Sequence, residues 1–167
     1  MIGRAWKFGD GVDTDQLAPG AYMKGSIEEL ARHCLEAAAP DFAGTVKAGD
    51  FVVAGRNFGA GSSREQAAMV LRILGVKAVI AQSFAGIFYR NAFNLGLPAV
   101  VCPRADDIAD GDRLEVNFEE GRLRNATRGV ELPCDAIPPH LVALIADGGL
   151  IAHLKRVLDR STTETMT

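Results

Sequence analysis

Residues 55–68, "GRNFGAGSSREQAA", combine several glycines with the adjacent serines Ser62 and Ser63 and with Arg64. Glycine lets the backbone approach a ligand closely. Free N–H groups at the start of a helix attract anions. A guanidinium group grips a carboxylate through two parallel hydrogen bonds. The stretch therefore predicts a binding site for a small anion, and Arg64 favours a carboxylate.

A purely structural interpretation of the same serines stays open. Ser62 with Glu65, and Ser63 with Gln66, fit the S-x-x-E/Q pattern of a capped helix N-terminus. Three other anion-binding or catalytic motifs are excluded. The stretch lacks the lysine of a Walker loop, and Arg64 stands at the last position of the dinucleotide fingerprint. It also lacks glycines two residues before and after a serine, as in a nucleophile elbow.

Ser62 has no neighbouring base in the sequence, and the chain has no obvious metal motif. The three histidines all fall in predicted helices; they are His33, His140 and His153. The three cysteines are far apart and form no C-x-x-C pair; they are Cys34, Cys102 and Cys134. This spacing argues against a disulfide framework and against an iron–sulfur or zinc site held by this chain alone. The site is therefore incomplete, and we expect another subunit to supply the rest.

A second polar cluster lies in residues 9–20, "GDGVDTDQLAPG", with Asp10, Asp13, Thr14 and Asp15 close together. It lacks the spacing and the distal glutamate of an EF-hand loop. A turn held by aspartate side chains explains it equally well on local grounds.

Length and composition place these clusters in an ordinary globular chain. We expect a single domain over residues 1–160 and a flexible tail over residues 161–167 of the 167-residue sequence. The formal net charge is −3 and no basic cluster is present, so we expect neither nucleic acid nor membrane as a partner. No signal sequence or membrane-length apolar run is visible, which favours a cytoplasmic location.

Helices and strands alternate through the first two thirds of the chain, which predicts an α/β fold with a parallel sheet. The predicted segments are a helix at 26–39, a strand at 50–55, a helix from the serines to 75, a strand at 77–83, a helix at 84–96 and a strand at 98–102. Alternating apolar positions around Glu120 and Gly121 then predict an antiparallel hairpin. One or two helices close the chain at 138–160.

Three motifs, "DTDQLAPGAYM", "AGRNFGAGSSREQAA" and "SFAGIFYRNAFNLGLP", in that order, resemble the small subunits of 3-isopropylmalate dehydratases. More broadly they resemble the swivel domain of the aconitase family. The resemblance implies a swivelling β/β/α fold of three layers, of the aconitase C-terminal type. It implies a heterodimer or heterotetramer with a large subunit that carries a [4Fe–4S] cluster, and no cofactor on this chain. The implied reaction isomerises 2-isopropylmalate to 3-isopropylmalate in leucine biosynthesis.

The resemblance also implies roles for individual residues. Ser62 matches the serine that, as an alkoxide, removes a proton from the carbon next to a substrate carboxylate. Ser63 and Arg64 match residues that hold a substrate carboxylate. Thr14 matches a residue facing the active site, where we expect it to bind substrate, and Asp15 matches an aspartate that orients a histidine of the large subunit.

The substrate is implied by the loop "AYMKGS", where Met23 favours an apolar group and Lys24 favours an additional carboxylate. We expect isopropylmalate, with homoaconitase or a citraconate or dimethylmalate dehydratase as alternatives. A carboxylate-binding module without catalysis is an alternative of another class. Two positions depart from the family, which often has arginine at Gly86 and cysteine at Ala60.

Overall fold

One seven-stranded mixed sheet organises the protein, and the computed structural model describes residues 2–165. The strands are β1 (Gly3–Lys7), β2 (Phe51–Ala54), β3 (Ala78–Ala81), β4 (Ala99–Val101), β5 (Arg113–Asn117), β6 (Arg122–Asn125) and β7 (Val130–Pro133). The helices are α1 (Thr14–Leu17), α2 (Ile27–Arg32), α3 (Phe42–Thr45), α4 (Gln66–Ile73), α5 (Gly86–Asn94), α6 (Pro139–Asp147) and α7 (Leu150–Thr165). The strand order is β4-β3-β2-β1-β5-β6-β7.

Strands β1 to β4 are parallel, as the alternation of elements predicts. Parallel neighbours need a crossover, and here α4 joins β2 to β3 while α5 joins β3 to β4. Every residue of β2 and β3 is buried, which explains why these strands are continuous apolar runs in the sequence.

The other half of the sheet is an antiparallel meander. β1 pairs with β5, and β5, β6 and β7 follow one another through short turns. The predicted hairpin is present: Val116 of β5 pairs with Leu123 of β6, and Gly121 in the turn has φ +63°. Only glycine and a few polar residues adopt that conformation easily.

A cluster of aromatic side chains packs against the glycine-rich loop. Phe58 lies edge-on to Phe88, with ring centroids 5.1 Å apart, and Phe84 stacks against Phe88 at 6.3 Å. Phe58 and Phe88 are almost completely buried. The loop after β2 therefore packs on a buried aromatic surface.

The predicted helix at 26–39 is wrong in its length. Ser26 caps α2 as expected, with its side chain accepting from the Glu29 N–H at 3.1 Å, but the helix ends at Arg32. Leu35 has φ +59°, and its N–H donates to the carbonyl of Gln16 at 2.8 Å. A contact with a segment distant in sequence therefore replaces the helical hydrogen bond.

The closing helices are α6 and α7, and α7 continues through Thr165. The predicted division between a domain at 1–160 and a tail at 161–167 stays a prediction, and residues 166–167 of that tail lie outside the described residues. Within residues 2–165, none of the helices is both long and apolar enough to cross a membrane. The cytoplasmic location also stays a prediction.

Candidate active site

The loops that follow β1 and β2 run side by side beyond the ends of the strands. The Gly59 N–H donates to the carbonyl of Val12 at 2.7 Å, and the Thr14 N–H donates to the carbonyl of Ala60 at 2.8 Å. Asp13 and Ala60 form a parallel bridge. The pairing of the two strands thus continues into the loops, and it brings the two polar clusters of the sequence together.

Two glycines allow this close approach. Gly59 has φ +82°, and a Cβ there would lie 2.2 Å from Cγ of Phe88. Gly61 has φ +111°, and a Cβ there would lie 2.9 Å from Oγ1 of Thr14. A side chain at either position would be strained in backbone and would collide with a neighbour.

The short helix α1 buries Thr14 and leaves Asp15 exposed. A capping box begins it: Asp13 Oδ1 accepts from the Gln16 N–H at 2.8 Å, and Gln16 Oε1 accepts from the Asp13 N–H at 3.0 Å. Thr14 is only 3% exposed, whereas the Asp15 side chain is 70% exposed. The Asp-x-x-Gln spacing is the signal by which the sequence could have revealed this cap.

Thr14 and Ser62 make two hydrogen bonds. The Ser62 N–H donates to Thr14 Oγ1 at 3.1 Å, and the two hydroxyl oxygens are 3.2 Å apart. Ser62 itself is exposed. The buried threonine therefore fixes the position of a serine whose hydroxyl faces solvent.

Arg64 and Asp15 form the second contact between the loops. Arg64 Nη1 donates to Asp15 Oδ1 at 3.0 Å and to the carbonyl of Ala18 at 2.8 Å. The hydrogen bond from Arg64, and then that from the Gly20 N–H, lower the pKa of Asp15 below its usual range. Both bonds of the guanidinium use Nη1, so within residues 2–165 its Nη2 and Nε keep their donors for another group.

The capping interpretation of the two serines is wrong. Helix α4 begins only at Gln66, its N-cap position is Glu65 with helical backbone angles, and no side chain caps it. Arg64 accordingly precedes the first helical turn. Ser62 is held by the neighbouring loop instead, and its N–H is used by Thr14 rather than left free for an anion.

The other residues predicted to bind substrate lie less close together. Ser63 is exposed, and its carbonyl accepts a long hydrogen bond, 3.5 Å, from the side chain of Asn91. Met23 is half-buried against the hydrophobic core, and Lys24 is exposed. Among the described residues, no hydrogen bond or ion pair joins these three side chains to Ser62 or Arg64.

An aromatic contact that the sequence did not reveal anchors the loop containing Met23 and Lys24. The rings of Tyr22 and His33 stack with centroids 3.5 Å apart and planes at 3°. His33 Nδ1 and Glu36 Oε2 are 2.7 Å apart. The sequence predicts a helical position for His33, and no local pattern indicates that its ring stacks on Tyr22.

The cysteines do not fit an iron–sulfur cluster. Cys34 and Cys102 are buried and Cys134 is half-buried. Burial raises the pKa of the Cys34 and Cys102 thiols, and it raises that of Cys134 to about 11. A cluster is ligated by thiolates. In the part of the chain that the structure describes, no group of three or more histidine, cysteine or acidic side chains could hold a metal ion.

Comparisons with known proteins agree over most of the chain. The family model of the aconitase C-terminal domain matches residues 31–105. A 3-isopropylmalate dehydratase small subunit 2 of Archaeoglobus fulgidus is 49% identical over 158 residues, which cover 93% of this chain and 95% of that protein. A methanogen homoaconitase small subunit of Methanothermobacter thermautotrophicus is 48% identical, covering 94% and 92%. The crystal structure of a 3-isopropylmalate dehydratase of Methanocaldococcus jannaschii superposes with a TM-score of 0.90 at 44% identity, covering 98% and 99% of the two chains.

Proposed function

The chain belongs to the aconitase C-terminal family, among the small subunits of 3-isopropylmalate dehydratases, and from this membership we propose how its two loops take part in the reaction. The enzyme is a hydro-lyase that acts with a large subunit. It isomerises 2-isopropylmalate to 3-isopropylmalate by removing water and adding it back so that the hydroxyl group is on the adjacent carbon.

The observation that carries the proposal is the double contact between the loops, Thr14 with Ser62 and Asp15 with Arg64. It holds a hydroxyl group and a guanidinium group at one exposed edge. Ser62 Oγ takes the proton from the carbon next to a substrate carboxylate. The electron pair of that C–H bond forms the double bond, and the hydroxyl group on the adjacent carbon leaves as water after accepting a proton from an acid that the large subunit would supply.

Arg64 binds the carboxylate next to the carbon that loses the proton. Nη2 and Nε form the edge of the guanidinium that two parallel hydrogen bonds to a carboxylate require. The positive charge also stabilises the negative charge that develops on the carboxylate as the proton leaves. Ser63 contributes its exposed hydroxyl to the same carboxylate.

Asp15 has two roles in this proposal. Its Oδ1 accepts from Arg64 and from the Gly20 N–H, which fixes the guanidinium. The Asp15 carboxylate is ionised at neutral pH, its pKa being held below the usual range by these hydrogen bonds, and its side chain is 70% exposed, so its second oxygen is available to a histidine of the large subunit.

The partner supplies what this chain lacks. The thiols of the chain are buried or half-buried and have raised pKa values, which makes them unsuitable ligands, so we assign the [4Fe–4S] cluster to the large subunit. The purified chain alone should be colourless, free of iron and inactive, and should gain activity only with an iron–sulfur large subunit. Stoichiometric iron in the isolated chain would contradict this assignment.

The loop after Gly20 selects the substrate. Met23 packs on the core and offers an apolar surface to the isopropyl group, while Lys24 lies in solvent. Burying an isopropyl group gains roughly 0.8 kcal/mol per CH₂. Homocitrate is a second candidate, because a relative at 48% identity is a homoaconitase small subunit and because Lys24 is the only positive residue in that loop.

The test of the central role is Ser62→Ala in the assembled enzyme. The kcat should fall by ~10²-fold or more, with KM changed little, as expected for loss of a general base. The melting temperature is the second readout: Ser62 caps no helix, but alanine removes the acceptor of the buried Thr14 hydroxyl, so we expect a loss of about 1–3 kcal/mol in stability, too small to unfold the chain. Thr127→Ala is the control: its hydroxyl accepts the Arg113 N–H at 2.8 Å, away from the two loops, so the variant should cost about 1 kcal/mol of stability and leave kcat unchanged. Normal turnover in Ser62→Ala would contradict the proposal.

A further inference from the structure

The hydroxyl group of Thr14 has a well-defined set of hydrogen-bonding partners. Its oxygen accepts the N–H of Ser62 at 3.1 Å and lies 3.2 Å from the hydroxyl oxygen of Ser62. Thr14 is 3% exposed, and the described residues leave no buried side-chain polar atom without a partner. The Thr14 hydroxyl has one proton to donate, and the Ser62 oxygen is the acceptor that the structure gives it.

We propose that Thr14 is a positioning residue that donates a hydrogen bond to the oxygen of Ser62 when that oxygen is an alkoxide. In the resting protein either hydroxyl can donate. Once Ser62 loses its proton, only Thr14 can, so the same contact becomes a charge-assisted hydrogen bond without any rearrangement. The inference rests on the proposed function, in which Ser62 is the base.

The geometry distinguishes this role from substrate binding, which the sequence resemblance suggests for Thr14. Thr14 lies buried beneath Ser62, whereas Ser62 is exposed. Gly61 makes the approach possible, because a Cβ there would lie 2.9 Å from the Thr14 hydroxyl oxygen. Thr14 therefore contacts the serine rather than the substrate, and its effect on catalysis must pass through Ser62.

Thr14→Val in the reconstituted enzyme tests the inference, because valine keeps the shape and removes the donor. Loss of a donor to a developing anion lowers kcat by about 10²- to 10³-fold. We expect a fall of that order, with KM close to wild type. Thr14→Ser restores the hydroxyl group and should recover most of the lost kcat.

The double variant Thr14→Val with Ser62→Ala provides a readout that a purely structural role would not give. If Thr14 acts through Ser62, the double variant should have the kcat of Ser62→Ala alone, since residues that act as a unit are not additive. If the kcat of the double variant is lower than that of Ser62→Ala by the same factor that Thr14→Val causes in the wild-type enzyme, Thr14 acts independently of Ser62 and the inference is overturned.

The outcomes separate the inference from the proposed function. Loss of turnover in Ser62→Ala together with normal turnover in Thr14→Val would overturn only the inference. Normal turnover in Ser62→Ala would overturn both. If Thr14→Val does not assemble with the large subunit, Thr14→Ala compared with Thr14→Ser measures the same hydroxyl, and equal kcat values in that pair would also overturn it.

Discussion

Gly59→Ala should destabilise the protein and displace the serine loop. The backbone of Gly59 has φ +82°, and an added Cβ would lie 2.2 Å from Cγ and 2.3 Å from Cβ of Phe88. Phe88 is 2% exposed and is held between Phe58 and Phe84. The ring has no open side to move to, so the loop itself must shift.

The magnitude follows from two terms. A side chain in the left-handed region costs roughly 1–2 kcal/mol, and forcing an extra methyl into a packed core typically costs 1–3 kcal/mol. We expect a loss of about 2–5 kcal/mol in the free energy of unfolding. For a chain of this size each kcal/mol lowers Tm by about 2–4 °C. The Gly59 N–H bond to Val12 should weaken as well, which misplaces the residues that follow.

The assay is urea unfolding of the chain, with kcat of the reconstituted enzyme as the second readout. Gly86→Ala is the matched control, because a Cβ at this first residue of α5 meets nothing within 4 Å. Replacing a glycine without strain leaves stability unchanged or raises it by about 0.4–1 kcal/mol. If Gly59→Ala is as stable as Gly86→Ala, the argument from the Phe88 contact is refuted.

Three further predictions concern single side chains. Arg64→Lys should raise KM by about tenfold or more in steady-state kinetics, because one lost hydrogen bond to a charged group is worth about 1.5–3 kcal/mol. Unchanged kinetics would show that Arg64 does not bind the substrate carboxylate. Lys24→Ala should leave turnover of isopropylmalate nearly intact, and a preference for homocitrate that collapses in this variant would instead identify a homoaconitase. At Asp50, burial opposes ionisation, but hydrogen bonds from two backbone N–H groups and from the Trp6 indole outweigh it and lower the pKa. The ionised Asp50 carboxylate therefore stabilises the folded chain above the unfolded pKa of about 3.9, and this contribution is lost as pH falls through the lower folded value. In Asp50→Asn the free energy of unfolding should consequently fall less steeply between pH 5 and 2 than in the exposed control Asp41→Asn.

The sequence was sufficient for the family, the α/β class and the dehydratase function, all of which are confirmed by the relatives and the fold. The parallel strands could be predicted because a buried strand such as β2 is a short apolar run between turn residues. The resemblance also indicates Ser62, Arg64 and the Thr14–Asp15 pair, which contact one another in the folded chain. The roles of these residues stay proposals.

The errors have a common physical cause. The S-x-x-E/Q pattern at Ser62 predicts a cap from local sequence, but Thr14, which is 48 positions away, holds that serine instead. The predicted helix beyond Arg32 fails because Leu35 hydrogen-bonds to Gln16. In both places a contact distant in sequence determines the backbone, and local propensity is a weak guide where such contacts compete.

The exposure of Ser62 gives a reason why the chain would need its large subunit for the chemistry, in addition to the cluster that we assign to that subunit. An alkoxide at a surface is stabilised mainly by water, and water also supplies its proton, so a single hydroxyl donor cannot keep it ionised at neutral pH. Excluding water strengthens every fixed charge and dipole around the oxygen. Thr14 below and Arg64 beside Ser62 are already fixed by the two loops, but the outer side of the serine is open. Covering that side is therefore part of the catalytic contribution that we assign to the large subunit.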